Sequence, residues 1–183
     1  SADVASVAVA QITVKNPGSA ASNPLPFSVY TFADVLPSAW YWRWVEGFYA
    51  QGITTGCAAN PLKYCPDRQV TRAEMAVFLL RAKNGLTTPT PTTTGMFADV
   101  PVAGKAWMQP WIEQFYNEGI TTGCAAGPLK YCPERQVTRA EMAVFVLRAV
   151  HGNDYVPPAA TGVFSDVPVA GKEWMQPWIE QFY

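Results

Sequence analysis

Two nearly identical segments, Val70–Met75 and Val137–Met142, each precede a run of apolar residues at helical spacing. In both, a Thr is followed by Glu in the capping-box arrangement that closes a helix N-terminus. The pattern predicts two capped helices, each with one buried stripe of residues. The predicted stripes are Met75, Phe78 or Leu79, and Ala82 in the first helix, and Met142, Phe145 or Val146, and Ala149 in the second.

A second kind of helix is predicted by aromatic residues that share one helical face, as Trp107, Trp111 and Phe115 do. Pro110 is tolerated only in the first turn, so this helix should begin near Met108 or Gln109. The equivalent aromatic residues of every such helix are predicted to lie in the core: Trp44, Trp111 and Trp178, with Phe48, Phe115 and Phe182.

The first thirty or so residues have a different pattern, alternating as strands do. Val7–Val14 and Leu25–Tyr30 are predicted strands, and Asn16-Pro17-Gly18 is a turn between them. An isolated hairpin is marginally stable, so these strands should need a larger sheet. The segment resembles the last two strands of an immunoglobulin-like domain of the IPT/TIG type, which implies a fragment of a β-sandwich.

From Phe32 onward the chain is an internal repeat in which each copy opens with Phe-x-Asp-Val. The predicted organisation is a β-strand segment 1–30, copy 1 at 32–86, a Thr/Pro linker 87–96, copy 2 at 97–152, a linker 153–163, and a partial copy 3 at 164–183. Pro-rich linkers of this kind are extended spacers. Because copy 3 stops within its first helix, we expect a piece of a longer protein, or a unit completed by a neighbouring subunit.

Four cysteines occupy equivalent places in copies 1 and 2: Cys57 and Cys65, and Cys124 and Cys132. A disulfide within each copy is the simplest interpretation, although four cysteines allow three connectivities. A zinc site is an alternative, but no His accompanies either pair and the spacing is unlike a zinc knuckle. Local disulfides imply an oxidising, extracellular compartment.

Composition narrows the classes of partner. The chain is 49% hydrophobic with a net charge of −1, so it is expected to fold and has no basic footprint for nucleic acid or an anionic membrane. No apolar run approaches the ~20 residues of a transmembrane helix. There is one His, His151, and no nucleophile motif, phosphate loop or carboxylate pair, so no catalytic residue, metal or cofactor is predicted.

The repeat as a whole resembles the S-layer homology module. The resemblance is carried by Phe-x-Asp-Val, an aromatic helix, Gly-Ile-Thr-x-Gly and Val-Thr-Arg-Ala-Glu-Met-Ala. The resemblance implies a mainly α fold of tandem helix-loop-helix repeats, usually three with pseudo-threefold symmetry. It also implies attachment to the cell envelope through polysaccharide bound in grooves between modules. The implied ligand-binding residues are Arg72, Arg139, Asp34, Asp99, Asp166, Trp40, Trp107 and Trp174, with the arginines reaching an acidic group on the sugar.

Each of these residues also has a purely structural interpretation. The arginines could form surface ion pairs, and the three Asp residues could accept backbone hydrogen bonds in turns. Glu74 and Glu141 are predicted to act only as caps. Trp40, Trp42, Trp107 and Trp174 are predicted to be exposed.

Two functions follow from the residues and the resemblance. The first is a non-catalytic, extracellular cell-surface protein anchored to an envelope polysaccharide. The alternative is a structural subunit that assembles with itself into a filament, sheath or surface layer by completing repeats between molecules. Ordered fibres formed without any polymer would favour the second.

Overall fold

A computed structural model describes residues 9–15, 17–23, 25–28, 30–85, 92–168 and 170–183. The fold is mainly helical, as predicted, and the chain divides between Arg68 and Gln69 into two compact units. The helices are α1 (Trp42–Ala50), α2 (Arg72–Asn84), α3 (Gln109–Asn117), α4 (Arg139–His151) and α5 (Gln176–Phe182). The strands are β1 (Val9–Ile12), β2 (Leu25–Ser28), β3 (Ala58–Ala59), β4 (Leu62–Lys63), β5 (Ala125–Ala126) and β6 (Leu129–Lys130).

The first unit contains the predicted hairpin. Strands β1 and β2 pair antiparallel, with Val9 opposite Ser28 and Ile12 opposite Leu25. Residues 7 and 8 of the first predicted strand and residue 29 of the second lie outside the described residues. The hydrophobic core of this unit is small and consists of Phe32, Val35 and Val45, with Tyr41, Trp42, Leu62 and Tyr64 against it.

Each cysteine pair closes a short hairpin. Cys57 bonds Cys65 across β3 and β4, and Cys124 bonds Cys132 across β5 and β6, so both predicted disulfides are confirmed. The backbone N–H of the first cysteine donates to the carbonyl of the last strand residue, Lys63 or Lys130, at 2.7 Å in both hairpins.

Both predicted capping boxes are present. The hydroxyl of Thr71 accepts a hydrogen bond from the N–H of Glu74, and the Glu74 carboxylate accepts one from the N–H of Thr71. Thr138 and Glu141 repeat the arrangement at α4. Two backbone donors that a helix start leaves unpaired are thereby satisfied in each helix.

The second unit joins different copies. Helix α2 of copy 1 packs on α3 of copy 2, α4 packs on α5 of copy 3, and α2 also contacts α4. The segments before α2 and α4 run antiparallel, because Val137 N–H donates to the Val70 carbonyl and Arg72 N–H donates to the Arg135 carbonyl. Each capped helix therefore covers the aromatic helix of the next copy.

The predicted buried stripes need correction. In α2 the buried apolar residues are Ala73, Met75, Ala76, Val77 and Leu80, whereas Phe78 and Leu79 are half-buried and Ala82 is exposed. In α4, Phe145 and Ala149 are buried as predicted, but Val144 and Leu147 are buried too and Met142 only partly. A helix that packs against two neighbours buries more than one stripe, which a single-face pattern does not describe.

Helix α3 begins at Gln109 with Pro110 in its first turn, as predicted, after a 3₁₀ turn at Ala106–Met108. Its Glu113 is 1% exposed and accepts hydrogen bonds from the backbone N–H groups of Thr94 and Gly95 at 2.6 and 2.9 Å. The end of the preceding linker is therefore fastened to the helix instead of being a free spacer. No helix among the described residues is long and apolar enough to span a membrane.

Candidate functional site

A narrow cleft of about 90 Å³ lies in the second unit where residues from all three copies meet, and we refer to it as the seam cleft. Copy 1 contributes Arg72 at the start of α2. Copy 2 contributes the Gly-Ile-Thr loop and one side of α4, and copy 3 contributes the 3₁₀ turn before α5. The lining residues are Arg72, Thr121, Thr122, Gly123, Glu141, Val144, Phe145, Arg148, Trp174 and Met175.

Arg72 lines the seam cleft and is only 2% exposed. Its guanidinium donates to the carbonyl of Tyr131 at 2.9 Å and to the hydroxyl of Thr121 at 3.2 Å. It also lies over the rings of Tyr131 and Phe145, 4.9 and 5.2 Å from their centroids. Burial is the main influence on the pKa of Arg72 and lowers it from its ordinary value. Copy 1 is thus tied to copy 2 by a buried cation.

Glu141 has more than the capping role predicted for it. Its carboxylate also accepts from Arg72 at 3.5 Å and from Arg135. Burial acts to raise the pKa of Glu141, but the hydrogen bonds from Arg135 and Thr138 outweigh burial and lower it. The carboxylate is therefore ionised at neutral pH and is occupied by protein donors.

A second arginine, Arg148, also lines the seam cleft. Its guanidinium lies over the ring of Trp178, 5.2 Å from the centroid, and burial lowers its pKa. The buried Nε atom of Arg148 has no hydrogen-bond partner in the described part of the chain. Because Arg72 and Glu141 pair with each other, Arg148 supplies the positive charge that the seam cleft can offer to an anionic group.

Arg139, the sequence counterpart of Arg72, lies elsewhere. It is exposed at the start of α4 and lines a separate, wider groove of about 510 Å³ with Val70, Met75, Arg135 and Met142 among its walls. The structure therefore does not bring the two predicted arginines to one site. One is a buried structural cation and the other is an accessible cation in its own groove.

Like the two arginines, the predicted aspartates have different environments: two are bonded within the protein and one is exposed. The two carboxylate oxygens of Asp34 accept from the N–H groups of Tyr64 and Cys65, both at 2.8 Å. Asp99 accepts from Tyr131 and Cys132 at 2.9 and 2.8 Å. These two residues hold the cysteine hairpins in place, as their structural interpretation predicted, whereas Asp166 is exposed.

Asp99, Cys124 and Cys132 form a cluster compact enough for a metal ion, and Asp34 forms the same cluster with the copy 1 pair. The sulfurs in each cluster are joined in disulfides, and the carboxylates are bonded to backbone N–H groups. A disulfide sulfur is not the thiolate that zinc binds, so in this oxidised state the donor sets do not suit a metal.

Three of the predicted exposed tryptophans are accessible: Trp40, Trp107 and Trp174 are 85%, 53% and 54% exposed. Trp174 stands at the rim of the seam cleft. Trp42 is half-buried against the core of the first unit, contrary to its prediction. Trp42 turns inward because it packs with Val45 and Phe32 in that core.

The prediction that Trp44, Trp111 and Trp178 are core residues is right for two of them. Trp111 and Trp178 are each 8% exposed because α2 and α4 cover them, whereas Trp44 is 71% exposed. Periodicity marks the apolar face of a helix but does not say whether another helix covers it.

The sequence interpretation missed Thr121 as an Arg72 partner, and it missed Arg148 altogether. Arg81 and Arg148 occupy equivalent positions in α2 and α4, and each stacks on the Trp of the next helix. A comparison of the two copies beyond the capping box would have found this pair, since both arginines lie in the last turn of a capped helix.

No family model matches the chain. An endoglucanase of Bacillus sp. (strain KSM-635) is 30% identical over 131 residues, 72% of this chain and 13% of that protein. The surface-layer 125 kDa protein of Lysinibacillus sphaericus is 28% identical over 127 residues, 69% of this chain and 10% of that protein. A cell surface protein of Thermoanaerobacter kivui is 33% identical over 125 residues, 67% of this chain and 16% of that protein. The chain is thus similar to short portions of three longer proteins, two of which are named for the cell surface.

Proposed function

We propose that this chain belongs to an extracellular cell-surface protein whose S-layer homology repeats hold it on the cell envelope by binding an acidic polysaccharide. The observation that carries the proposal is the seam cleft, in which the half-buried Arg148 lies with the loop of Thr121, Thr122 and Gly123 and with the exposed Trp174. Hydroxyl and backbone groups suit sugar hydroxyls, a Trp face suits a sugar ring, and arginine suits an acidic substituent.

The similarity to two surface proteins supports the location at the cell surface. The name of the endoglucanase does not carry over, because this chain spans only 13% of that protein. A binding role without catalysis also agrees with the seam cleft, where Glu141 is the single carboxylate among the described lining residues and is held by arginines. Glycoside hydrolysis ordinarily needs two carboxyl groups.

The exposed predicted residues complete the proposal. Arg139, Asp166, Trp40 and Trp107 are accessible and stay candidate contacts to the polymer outside the seam cleft. Asp34 and Asp99 act indirectly in this scheme, by holding the cysteine hairpins. The β1–β2 hairpin stays a candidate for the end of an immunoglobulin-like domain.

Co-sedimentation with cell-wall sacculi tests the anchoring function. The purified chain should pellet with intact sacculi, and pelleting should fall when their accessory polysaccharide has been stripped by acid. Trp174→Ala should weaken binding to the sacculi about fivefold, since loss of a stacking aromatic removes on the order of 1 kcal/mol of binding. Arg139→Ala tests the wider groove in the same assay.

Val156→Ala is the matched control, because Val156 is 81% exposed and lies away from the lining of the seam cleft. It should pellet like the unaltered chain. Failure of the unaltered chain to pellet, or equal pelleting of Trp174→Ala and Val156→Ala, would contradict the assignment of the seam cleft.

A second candidate function is the assembly of molecules with one another. It is favoured by α1, which exposes Trp44 to solvent.

A further inference from the structure

The start of α2, in copy 1, is held by backbone groups of copy 2. The N–H of Arg72 donates to the Arg135 carbonyl at 2.8 Å, and the N–H of Ala73 donates to the Pro133 carbonyl at 3.1 Å. Both are donors that a helix start leaves unpaired, so copy 2 completes the first turn of α2. We call these two hydrogen bonds, together with the two between Arg72 and Tyr131, the inter-copy joint.

Cys132 lies among the residues that form the inter-copy joint. Tyr131 precedes it and Pro133 follows it, and both offer a carbonyl to α2. The disulfide from Cys132 to Cys124 closes the hairpin of β5 and β6. A cross-link within copy 2 therefore fixes the acceptors that hold copy 1.

The backbone of Cys132 has a conformation that residues other than glycine seldom adopt. Its φ is +58°, in the left-handed region where a Cβ is disfavoured. Two restraints act on this residue: the disulfide, and the Asp99 carboxylate, which accepts from the N–H groups of Tyr131 and Cys132. Loss of the disulfide removes one restraint, and relaxation of this backbone towards negative φ moves the carbonyls on both sides of it.

The disulfide is accessible to a reductant through one of its two sulfurs. Cys124 is exposed, whereas Cys132 is half-buried. Thiol–disulfide exchange begins when a thiolate attacks one sulfur and forms a mixed disulfide, and its rate depends on access to that sulfur. An external thiolate should therefore attack Cys124, and Cys132 should be the thiolate that leaves.

We propose that the Cys124–Cys132 disulfide is a redox-sensitive switch for the inter-copy joint, which is tight in the oxidised form and loosened by an external dithiol. The dithiol forms a mixed disulfide with Cys124 and releases Cys132, and its second thiol then releases Cys124. The protein disulfide gains two electrons and two protons, and the dithiol is oxidised to a cyclic disulfide. The switch concerns the fold of the second unit and does not rest on polysaccharide binding.

Copy 1 contains a matched control. Its disulfide, Cys57–Cys65, has the same spacing, and Cys65 has the same φ of +58°. Tyr64 is the counterpart of Tyr131, but it packs on Phe32 of its own copy within the first unit. Reduction of this second disulfide is chemically equivalent and removes no acceptor from the start of α2.

Amide hydrogen exchange of the full chain, followed by NMR, tests the switch. Cys57→Ser/Cys65→Ser leaves only the copy 2 disulfide. Dithiothreitol added to this variant should speed exchange of the Arg72 and Ala73 amides about tenfold or more, because their acceptors are released. Removal of the reductant and reoxidation should restore the slow exchange.

Cys124→Ser/Cys132→Ser leaves only the copy 1 disulfide and is the control for the reductant. In this variant, dithiothreitol should change exchange at residues 72–73 by less than about twofold. The amides of Val144 and Leu147, in the middle of α4, report whether the second unit as a whole stays folded. They make the same distinction within the first variant if the control variant folds poorly.

Unchanged exchange of Arg72 and Ala73 on reduction of the copy 2 disulfide would overturn the proposal. An equal acceleration at Val144 and Leu147 would also overturn it, since the disulfide would then support the whole unit and not the inter-copy joint. The same acceleration at residues 72–73 on reduction of the copy 1 disulfide would overturn it too.

Discussion

Arg72 and Tyr131 each donate a side-chain hydrogen bond to the backbone carbonyl of the other. The Nε of Arg72 donates to the Tyr131 carbonyl at 2.9 Å, and the Tyr131 hydroxyl donates to the Arg72 carbonyl at 2.7 Å. Tyr131 is fully buried, and burial raises the pKa of its hydroxyl well above the ordinary value, so the hydroxyl is protonated and can donate at neutral pH. The pair joins the start of α2 in copy 1 to the cysteine hairpin of copy 2.

The two arginines of the repeated motif should differ sharply in their effect on stability. Arg72→Ala removes buried hydrogen bonds and leaves the Tyr131 carbonyl and part of Glu141 without a donor, so we expect a loss of about 3 kcal/mol. Arg139→Ala removes an exposed side chain and should change stability by less than about 0.5 kcal/mol. Urea denaturation of the two variants measures the difference.

Arg72→Lys refines this comparison, because lysine keeps the charge but cannot reproduce the fork of donors. It should fall between the unaltered chain and Arg72→Ala. Equal losses for Arg72→Ala and Arg139→Ala would mean that the buried network around Tyr131 contributes little.

The capping boxes give a prediction that is local to each helix. Thr138→Ala removes the acceptor for the Glu141 N–H and should destabilise the second unit by about 1 kcal/mol. Thr138→Ser keeps the hydroxyl and should lose much less. Thr71→Ala should behave like Thr138→Ala, and thermal unfolding followed by circular dichroism would show whether it does.

The sequence predicts correctly those features that are determined by residues close to one another in the chain. Thr138 and Glu141 specify their helix start by bonding each other, and Cys124 reaches Cys132 across a short hairpin. Pro110 marks the first turn of α3 for the same kind of reason, since its ring excludes it from a helix interior. None of these features depends on what lies elsewhere in the chain.

Equivalent residues in different copies have different environments, and no single-copy pattern reveals this. Trp44 and Trp178 occupy the same position in their helices, yet one is 71% exposed and the other 8%. Arg72 is buried because the next copy supplies Tyr131 and Thr121, whereas Arg139 is exposed. Burial in a repeat array is decided at the contact between neighbours.

The hydrogen bonds that hold the second linker (153–163) to Glu180 should depend on pH. Its carboxylate accepts from the backbone N–H of Thr161 and, at 2.9 Å, from that of Gly162, and hydrogen bonding, chiefly from Thr161, lowers the pKa of Glu180 to about 2. A depressed pKa means that this contact is fully formed above pH 4.5, the ordinary value, and is lost as pH falls towards 2.

The amide shift of Gly162, followed by NMR from pH 6 to pH 2, measures that titration. It should change with a midpoint near that of Glu180, and the change should vanish in Glu180→Gln. A midpoint near 4.5 in the unaltered chain would show that the carboxylate is not held by the linker.

Gly123 and Gly47 should respond to alanine with opposite signs. Gly123 has φ of +84°, and an added Cβ would lie 2.6 Å from the Lys130 carbonyl oxygen, so Gly123→Ala meets both backbone strain and a clash with backbone. We expect it to destabilise the second unit by about 2 kcal/mol or more, as judged by urea denaturation. Gly47 lies inside α1 with nothing within 4 Å of the added Cβ, so Gly47→Ala should stabilise the first unit by up to about 1 kcal/mol through helix propensity alone. A stabilising Gly123→Ala would mean that the Gly-Ile-Thr loop can move away from β6, and the walls of the seam cleft would then not be fixed.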